Sequence, residues 1–597
     1  MPLPKSPVSR IQIQAVEPIV DCGRYAIKRT VGERVSVYST VFKDGHDTLA
    51  GAIRVRPPGE RRFREEQLLP LGNDRWGGSF LVDRPGRWQF AVTVWTDRIA
   101  TWQDEIRRKS EAGQTDLAGE LSEGAALLGR ESVTVEEGLS APAGDRQGEA
   151  TSAVYEIDVD RELARFGAWY ELFPRSWGGF RGVAKVMPKL AELGFDVVYL
   201  PPVHPIGLTN RKGKNNSLEA EPGDVGSPWA IGSEEGGHEA IHPGLGTWSD
   251  FDAMVAAAKK AGIEIALDFA IQCSPDHPWL VQHPDWFYRR PDGTLKYAEN
   301  PPKRYQDIYN VNFESEDWQG LWQALLEVVL GWVERGICVF RVDNPHTKPV
   351  PFWEWLIAEV RRDHPDVVFL AEAFTRPAMM TTLAKLGFAQ SYTYFTWKNT
   401  RAELREYMDE LLAWAPFYRP NAFANTPDIL HEYLQQGGPP AFEARLVLAG
   451  TLSPSYGIYS GYESYENVPA QPGSEEYLDS EKFEVRARAL DGPLLPLVQR
   501  LNEARRAEPA LQRVENLRWL ETENDQLIAY AKDDVICVVN LDPLLEQEGS
   551  CVIPVSLGFP PAFDARELLT GASFTWRAGR NYVKLAPGKS HLLKVLA

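Results

Sequence analysis

The chain has 597 residues, 43% apolar and 25% charged, with a formal net charge of −19. That composition excludes a mainly disordered or fibrous chain and leaves material for several domains, while the excess of acid repels phosphate backbones and disfavours a nucleic-acid partner. The five cysteines (Cys22, Cys273, Cys338, Cys537 and Cys551) form no CxxC pair and give neither a zinc motif nor a disulfide framework; no stretch reads as a signal peptide or approaches the ~18 apolar residues of a membrane span, so a cytoplasmic location without membrane contact is expected.

Residues 1–100 read as β-structure. Trp88, Phe90, Val92 and Val94 alternate on one face, Val35, Val37 and Val41 suit another strand, and Asp44-Gly45 marks a turn. An N-terminal β-sandwich is expected. Residues 101–160 change character. The run from Thr101 to Leu128 is charged and helical, and is read as a helical insertion that is either a solvated face or a partner-facing surface.

From 161 to 505 the rhythm is strand, then helix. Apolar strand candidates are Ala168–Phe173, Val197–Leu200, Ile263–Ala270, Ile337–Val342 and Val367–Ala371. Thr247-Trp-Ser-Asp250 has the form of a capping box, Phe251, Met254 and Val255 make an apolar stripe, and Gly262 is a C-terminal stop. Trp318, Leu321, Trp322, Leu325, Val329 and Trp332 recur at helical spacing, as do Trp353, Leu356, Ile357 and Val360. The alternation predicts an α/β fold with a parallel sheet. Over this length a (β/α)8 TIM barrel is the best single architecture; an open doubly wound sheet is the alternative, but no GxGxxG follows the first strand. Two long non-helical stretches, about 203–246 and 272–312, interrupt the rhythm, and loops of that length in a compact domain usually carry function. Residues 506–597 return to β-structure, with Leu527–Tyr530, Val535–Leu541 and Leu592–Val595 predicting a small C-terminal β-sandwich.

In a (β/α)8 barrel the active site lies where strands end. Here Asp268 closes one strand candidate, Arg341-Val-Asp343-Asn344 the next and Glu372 a third, and Asn425-Thr-Pro-Asp428 follows. A carboxylate in such a place is costly to bury unless it is paired. One alone reads as structural; three or four on one rim read as a site. Arg341 and Asp343 are two apart and share a strand face, and the cation favours the ionised acid. A buried structural ion pair is the other reading of the same residues. An Asp/Glu pair is the minimum for glycosyl transfer with retention: one attacks the anomeric carbon, the other protonates the leaving oxygen and then deprotonates the incoming hydroxyl, at a separation of about 5–5.5 Å. Arg211-Lys212-Gly-Lys214 and Lys303-Arg304 concentrate positive charge in the two long loops. A solvated loop face is the bland account; beside catalytic strands, such groups suit a dianionic phosphate. His346 and Lys348 either assist the site or fix its loop.

Phe-Arg341-Val-Asp343, the Glu372 strand and Asp428 resemble the α-amylase superfamily of retaining glucan enzymes. Nearly the whole chain resembles, more narrowly, the GlgE-type α-1,4-glucan:maltose-1-phosphate maltosyltransferases. The matching runs are Tyr170-ELFPRSWG, Tyr199-LPPVHPIG, Asn210-RKGKNN, Gly226-SPWAIGS, Asp268-FAIQCSPDHPW, Arg341-VDNPHTKP, Ala371-EAFTRP, Asn425-TPDIL and Glu476-YLDSEKFE. Cys273 and Asn425-Thr-Pro-Asp428 stand where amylases carry imidazoles, which puts plain starch hydrolysis in doubt. The resemblance implies Asp343 as nucleophile, Glu372 as general acid/base and Asp428 as transition-state stabiliser. It implies donor contacts from Lys212, Gln272, Asp307, Asn344 and Lys482, with Ser227, Asn300 and Tyr305 around the phosphate and Arg341 within the site. Phe483 stands where the family is expected to carry Tyr. The implied reaction takes maltosyl units from α-maltose 1-phosphate to the non-reducing end of an α-1,4-glucan, releases phosphate, serves glycogen or α-glucan synthesis, and needs no metal or organic cofactor. A homodimer is implied. The rivals are a hydrolase, branching enzyme or trehalose synthase on the same scaffold, and a non-catalytic carbohydrate-binding protein.

Overall fold

The computed structural model describes residues 8–300 and 303–596, with backbone alone at Asn300 and Lys303. The chain divides into two units, Met1–Arg161 and Glu162–Ala597. Among the described residues, the first unit holds a nine-stranded sheet, the β-rich N-terminal domain expected. The alternating run forms the strand Gly86–Asp97 and buries Trp88, Phe90, Val92 and Val94; Val35, Val37 and Val41 are buried on Arg34–Lys43.

Helices follow at Arg98–Glu111, Ala118–Leu127 and Val135–Leu139. They close round Trp102, whose indole donates to the Glu120 carbonyl at 2.6 Å. Gly124 and Gly138 are required there: a Cβ on either would fall 2.0 and 2.3 Å from the indole ring. Residues 146–160, read from sequence as part of the helical stretch, instead form the strands Arg146–Thr151 and Tyr155–Asp160, both paired with Gly86–Asp97. Ile157 and Val159 share a face and extend the apolar core, so the strand period wins over the charged composition.

In the second unit eight parallel strands close into a barrel: β1 (Gly167–Glu171), β2 (Val197–Leu200), β3 (Glu264–Phe269), β4 (Val339–Val342), β5 (Val368–Ala371), β6 (Gln390–Tyr392), β7 (Pro420–Phe423) and β8 (Ser455–Tyr459). The pairing of β1 with β8 is parallel and shuts the ring, which excludes the open sheet. Trp169, Tyr199, Ala266, Val339, Leu370 and Phe423 pack the core. The capping box on Thr247 and Asp250 forms, and the helix Trp248–Ala261 stops at Gly262 with φ 74°. Of the stripes read from sequence, Leu321, Leu325, Val329 and Trp332 are buried on the helix Trp318–Glu334, where Trp318 is instead exposed and Trp322 half-buried, and Trp353, Leu356, Ile357 and Val360 are buried on Val350–Asp363.

The two long loops follow β2 and β3. The second folds into three short antiparallel strands, Gln272–Cys273, Tyr297–Asn300 and Lys303–Asn310. Ile206 and Ala230 of the first loop pack with Ala298 and Ile308 of the second, so the loops share a small core above the barrel's catalytic end. The chain ends in an eight-stranded sheet, the expected C-terminal β-rich domain, around Ile536, Val538, Phe563, Trp576 and Leu593. Among the described residues no helix is long and apolar enough to cross a membrane.

Candidate active site

Each of three neighbouring strands ends in a carboxylate, and one guanidinium holds all three. Arg341, on β4, is buried. It contacts Asp268 Oδ2 of β3 at 3.0 Å, Asp343 Oδ1 at 2.9 Å and Glu372 Oε1, just past β5, at 2.6 Å. Its charged plane stands over the rings of Tyr199 and Tyr392, 5.5 and 5.6 Å from their centroids. Asp268 also accepts from the Tyr199 hydroxyl at 2.6 Å and the Trp229 indole at 3.2 Å.

Three acids around one cation cannot all ionise cheaply, and their environments separate them. Burial pushes Asp343 up, but Arg341 and then Lys348 outweigh it and hold that carboxyl below the usual range. Burial lifts Glu372 well above the usual range; Arg341 opposes this, and the charges of Asp343 and Asp428 add to it. Burial raises Asp268 to about 7 against the pull of Arg341. Glu372 and Asp343 share a hydrogen bond. The pair is therefore one ionised and one protonated acid, the division that acid-assisted nucleophilic displacement needs.

Asp343 and Glu372 open onto a cavity of 890 Å³. Asp428, Lys212, Ser227, Gln272, Tyr305, Asp307, Asn344, Lys482 and Phe483 line the same space, so the structure brings together nearly every residue singled out in the sequence. Arg341 stands behind the wall rather than on it. Asn300 ends a strand at the cavity's edge loop, and its side chain lies outside the described residues. The cavity's cations Lys212 and Lys482 are pre-paired. Lys212 Nζ donates to Gln306 Oε1 at 3.1 Å, and burial lowers its pKa against the charge of Asp307. Lys482 Nζ pairs with Asp428 Oδ1 and lies 5.8 and 5.6 Å from the ring centroids of Trp229 and Phe483. Burial works against the Lys482 charge, but Asp428 outweighs it and raises its pKa. Asn344 adopts φ 40° and turns its backbone N–H to Glu372 Oε2 at 3.4 Å. His346 lines the cavity, and Lys348 both lines it and donates to Thr347 Oγ1 at 2.9 Å.

Comparison with known proteins agrees with this geometry. Residues 9–168 match the family described as α-1,4-glucan:maltose-1-phosphate maltosyltransferase, domain N/S, residues 519–595 match GLGE, C-terminal, and residues 168–324 match the α-amylase catalytic domain. The α-1,4-glucan:maltose-1-phosphate maltosyltransferase 2 of Streptomyces coelicolor is 48% identical over 98% of this chain and 95% of its own length. The enzyme of that name from Mycolicibacterium smegmatis is 46% identical over 98% and 97%, and that of Mycobacterium tuberculosis 44% over 98% and 96%. The chain belongs to the α-1,4-glucan:maltose-1-phosphate maltosyltransferase family. Solved structures share its fold: an α-amylase from Lactobacillus plantarum has a TM-score of 0.58 at 21% identity, covering 73% of this chain and 100% of its own. A maltogenic α-amylase from Thermotoga neapolitana gives 0.57 at 18%, with the same coverage.

Within this family's barrel, several residues at the site escaped the sequence reading. Trp229 lies in the first long loop, where no periodicity marks it. Phe374 and Trp397 line the cavity beside Glu372, with ring centroids 5.0 Å apart. They follow β5 and β6, and β6 itself has too few apolar residues to be read. Glu171, at the end of β1, is fully buried, and burial lifts its carboxyl well above the usual range; the strand predicted through Phe173 hid it as an interior position.

His238, Cys273 and His277 bring three potential metal donors within 4.8 Å of one another. Their hydrogen bonds do not leave donors for a metal. His277 Nδ1 accepts from the Trp279 N–H at 3.1 Å, so its Nε2–H donates to His238 Nδ1 at 3.1 Å, and His238 Nε2–H donates to the Ala270 carbonyl at 2.9 Å. Every imidazole lone pair is committed, and burial holds the Cys273 thiol well above its ordinary pKa. The trio is a neutral relay that fixes the loop carrying Gln272.

Proposed function

We propose that this chain is a retaining maltosyltransferase that moves maltosyl units from α-maltose 1-phosphate to the non-reducing end of an α-1,4-glucan and releases phosphate. The observation that carries the reading is a single cavity in which an ionised and a protonated acid, Asp343 and Glu372, share the wall with the cations Lys212 and Lys482. Asp343 attacks C1 of the donor. The bond from C1 to the phosphate oxygen breaks, the phosphate keeps the electron pair, and Glu372 gives its proton to the departing phosphate, which leaves Glu372 ionised for the second step. The product is a β-maltosyl ester of Asp343. The acceptor's 4-hydroxyl then attacks C1, Glu372 takes its proton, and the Asp343 carboxylate leaves, so the glucan grows by two glucose units with retention.

Arg341 keeps both carboxylates in place. Asp428 hydrogen-bonds the distorted sugar and holds it more tightly in the oxocarbenium-like state. Lys212 and Lys482, with Gln272, Asn344, Ser227, Tyr305 and Asn300, take the phosphate and nearby hydroxyls, for which charged and amide donors are suited. Asp307 accepts from sugar hydroxyls and balances Lys212. Phe483 offers a ring face. The barrel of residues 161–505 carries the chemistry, and the flanking β-domains and the helical stretch support it. A cytoplasmic homodimer belongs to the same proposal on family resemblance, and sedimentation of the full chain tests the dimer. Plain hydrolase, branching-enzyme and trehalose-synthase readings are not favoured by the relatives' names.

The test is phosphate release from α-maltose 1-phosphate with and without short maltooligosaccharides, with products sized by mass. Acceptor-dependent release and growth in steps of two hexoses are expected. Cleavage or rearrangement of unphosphorylated glucan without phosphate release would overturn the reading.

A further inference from the structure

The cavity's phosphate-suited cation is already bound to one of its own sugar-suited acids. Lys482 Nζ pairs with Asp428 Oδ1, and the side chains are 15% and 43% exposed. Both backbones are fixed. Asn425 precedes Asp428 and is tied on one side to the Tyr477 hydroxyl at 2.7 Å and on the other to the Tyr459 N–H at 2.9 Å. The Asp428 N–H donates to Thr426 Oγ1 at 3.2 Å. Glu481, the neighbour of Lys482, is fully buried and accepts from Arg488 at 2.6 Å and from the Tyr459 hydroxyl at 2.5 Å. One strand end, Tyr459 of β8, thus anchors both segments. What remains free to move is the two side-chain tips.

We propose that the Lys482–Asp428 pair selects the donor class: a phosphorylated sugar draws Lys482 away and frees Asp428 for the sugar hydroxyls, whereas an unphosphorylated glucan cannot. The proposal deepens the function given above and rests on it. The reason is the ranking of partners. A neutral hydroxyl forms a weaker hydrogen bond than a carboxylate and does not displace Asp428 from an ammonium. A dianionic phosphate carries twice the charge and three acceptor oxygens, and it competes for the same ammonium successfully. The anions facing Lys482 from every side are Asp428, Glu476 and Asp307, with Lys212 the opposing cation beside Asp307. A donor without phosphate therefore meets an Asp428 with one oxygen committed, and glycosyl transfer from plain glucan is suppressed without any steric block.

The test uses the full-length protein and two donors, α-maltose 1-phosphate and α-maltosyl fluoride, the second having a good leaving group but no phosphate. In Lys482→Met, kcat/KM for the phosphate donor is expected to fall, while that for the fluoride rises on the order of tenfold, the scale of one charge-assisted hydrogen bond. Lys482→Arg, which keeps the charge, is expected to return the fluoride rate towards wild type. A fluoride rate in Lys482→Met that is unchanged, or falls in step with the phosphate donor, would overturn the proposal, as would Lys482→Arg behaving like Lys482→Met. A second measurement does not depend on that variant's folding. In Asp428→Asn the ammonium loses its rival, so calorimetry is expected to show severalfold tighter binding of inorganic phosphate; equal or weaker binding contradicts the pair's role. Wild-type protein that releases no phosphate from α-maltose 1-phosphate removes the functional reading itself. Wild-type release with unresponsive variants removes the selection device alone.

Discussion

Two arginines in the same unit, Arg341 buried and Arg488 half-buried, do similar chemistry with different consequences. Arg341 holds Asp268, Asp343 and Glu372 at 3.0, 2.9 and 2.6 Å. Arg488, in the segment after β8, holds Glu481 at 2.6 Å and Glu466, and Arg486 adds a second cation on Glu466 at 3.2 Å. The Arg488 cluster has two cations for two acids, and its charges cancel. None of its members lines the cavity. The Arg341 cluster has three acids for one cation, and two of the acids open onto 890 Å³ of space. A buried ion cluster is therefore a poor marker of a site by itself. Surplus charge beside open space is the marker, because the surplus splits the protonation states that catalysis uses.

The largest effect is expected at the surplus. Asp343→Asn should lower kcat/KM on the order of 10⁴-fold or more. Glu372→Gln should lower kcat by about 10²–10⁴-fold. It should also change the pH profile. With the roles proposed, wild-type kcat/KM needs Glu372 protonated and Asp343 ionised, so it is expected to fall as pH rises through the raised Glu372 pKa, with an acid limb below the usual carboxylate range. Initial rates across pH should show that alkaline limb flattened in Glu372→Gln.

The balanced cluster should respond in stability instead. Arg488→Met leaves Glu481 buried with the Tyr459 hydroxyl but without its guanidinium partner, and denaturant unfolding should register a loss of about 3–5 kcal/mol, with kcat of the folded enzyme affected far less than in Glu372→Gln. Equal damage to kcat in both would erase the distinction drawn between the clusters. The smallest effect is expected at Phe483→Tyr. One added hydroxyl in a cavity wall is worth about 0.5–1.5 kcal/mol at most, so donor KM should shift by less than about tenfold, with kcat nearly unchanged.

The strand-end acids were legible because β3, β4 and β5 are runs of apolar residues that stop at a charge. The last three barrel strands were not, and the reason is physical. β6, β7 and β8 place Gln390, Asn421 and Ser455 in the barrel interior, where they are linked by hydrogen bonds: Gln390 donates to Ser455 Oγ at 3.0 Å, and Asn421 donates to Gln390 Oε1 at 3.1 Å. A buried polar layer of this kind has no apolar signature. β7 also begins at Pro420, a residue that argues against a strand in most settings. Lys482 and Phe483 lie in an irregular segment, so only family resemblance could place them at the cavity. The pairing of Lys482 with Asp428 had no trace in the sequence, because it joins two loops through Tyr459. Residues 146–160 were misread for the opposite reason: their charge masked a short strand period.

In the proposed reaction Asp343 is the group that becomes covalently bound. Glu372→Gln protein mixed with α-maltose 1-phosphate, without acceptor, should release a single equivalent of phosphate and accumulate a maltosyl adduct. Peptide mass spectrometry should place that adduct on Asp343. An adduct on Asp268 or Asp428, or continued phosphate release at the wild-type rate with no adduct, would contradict it.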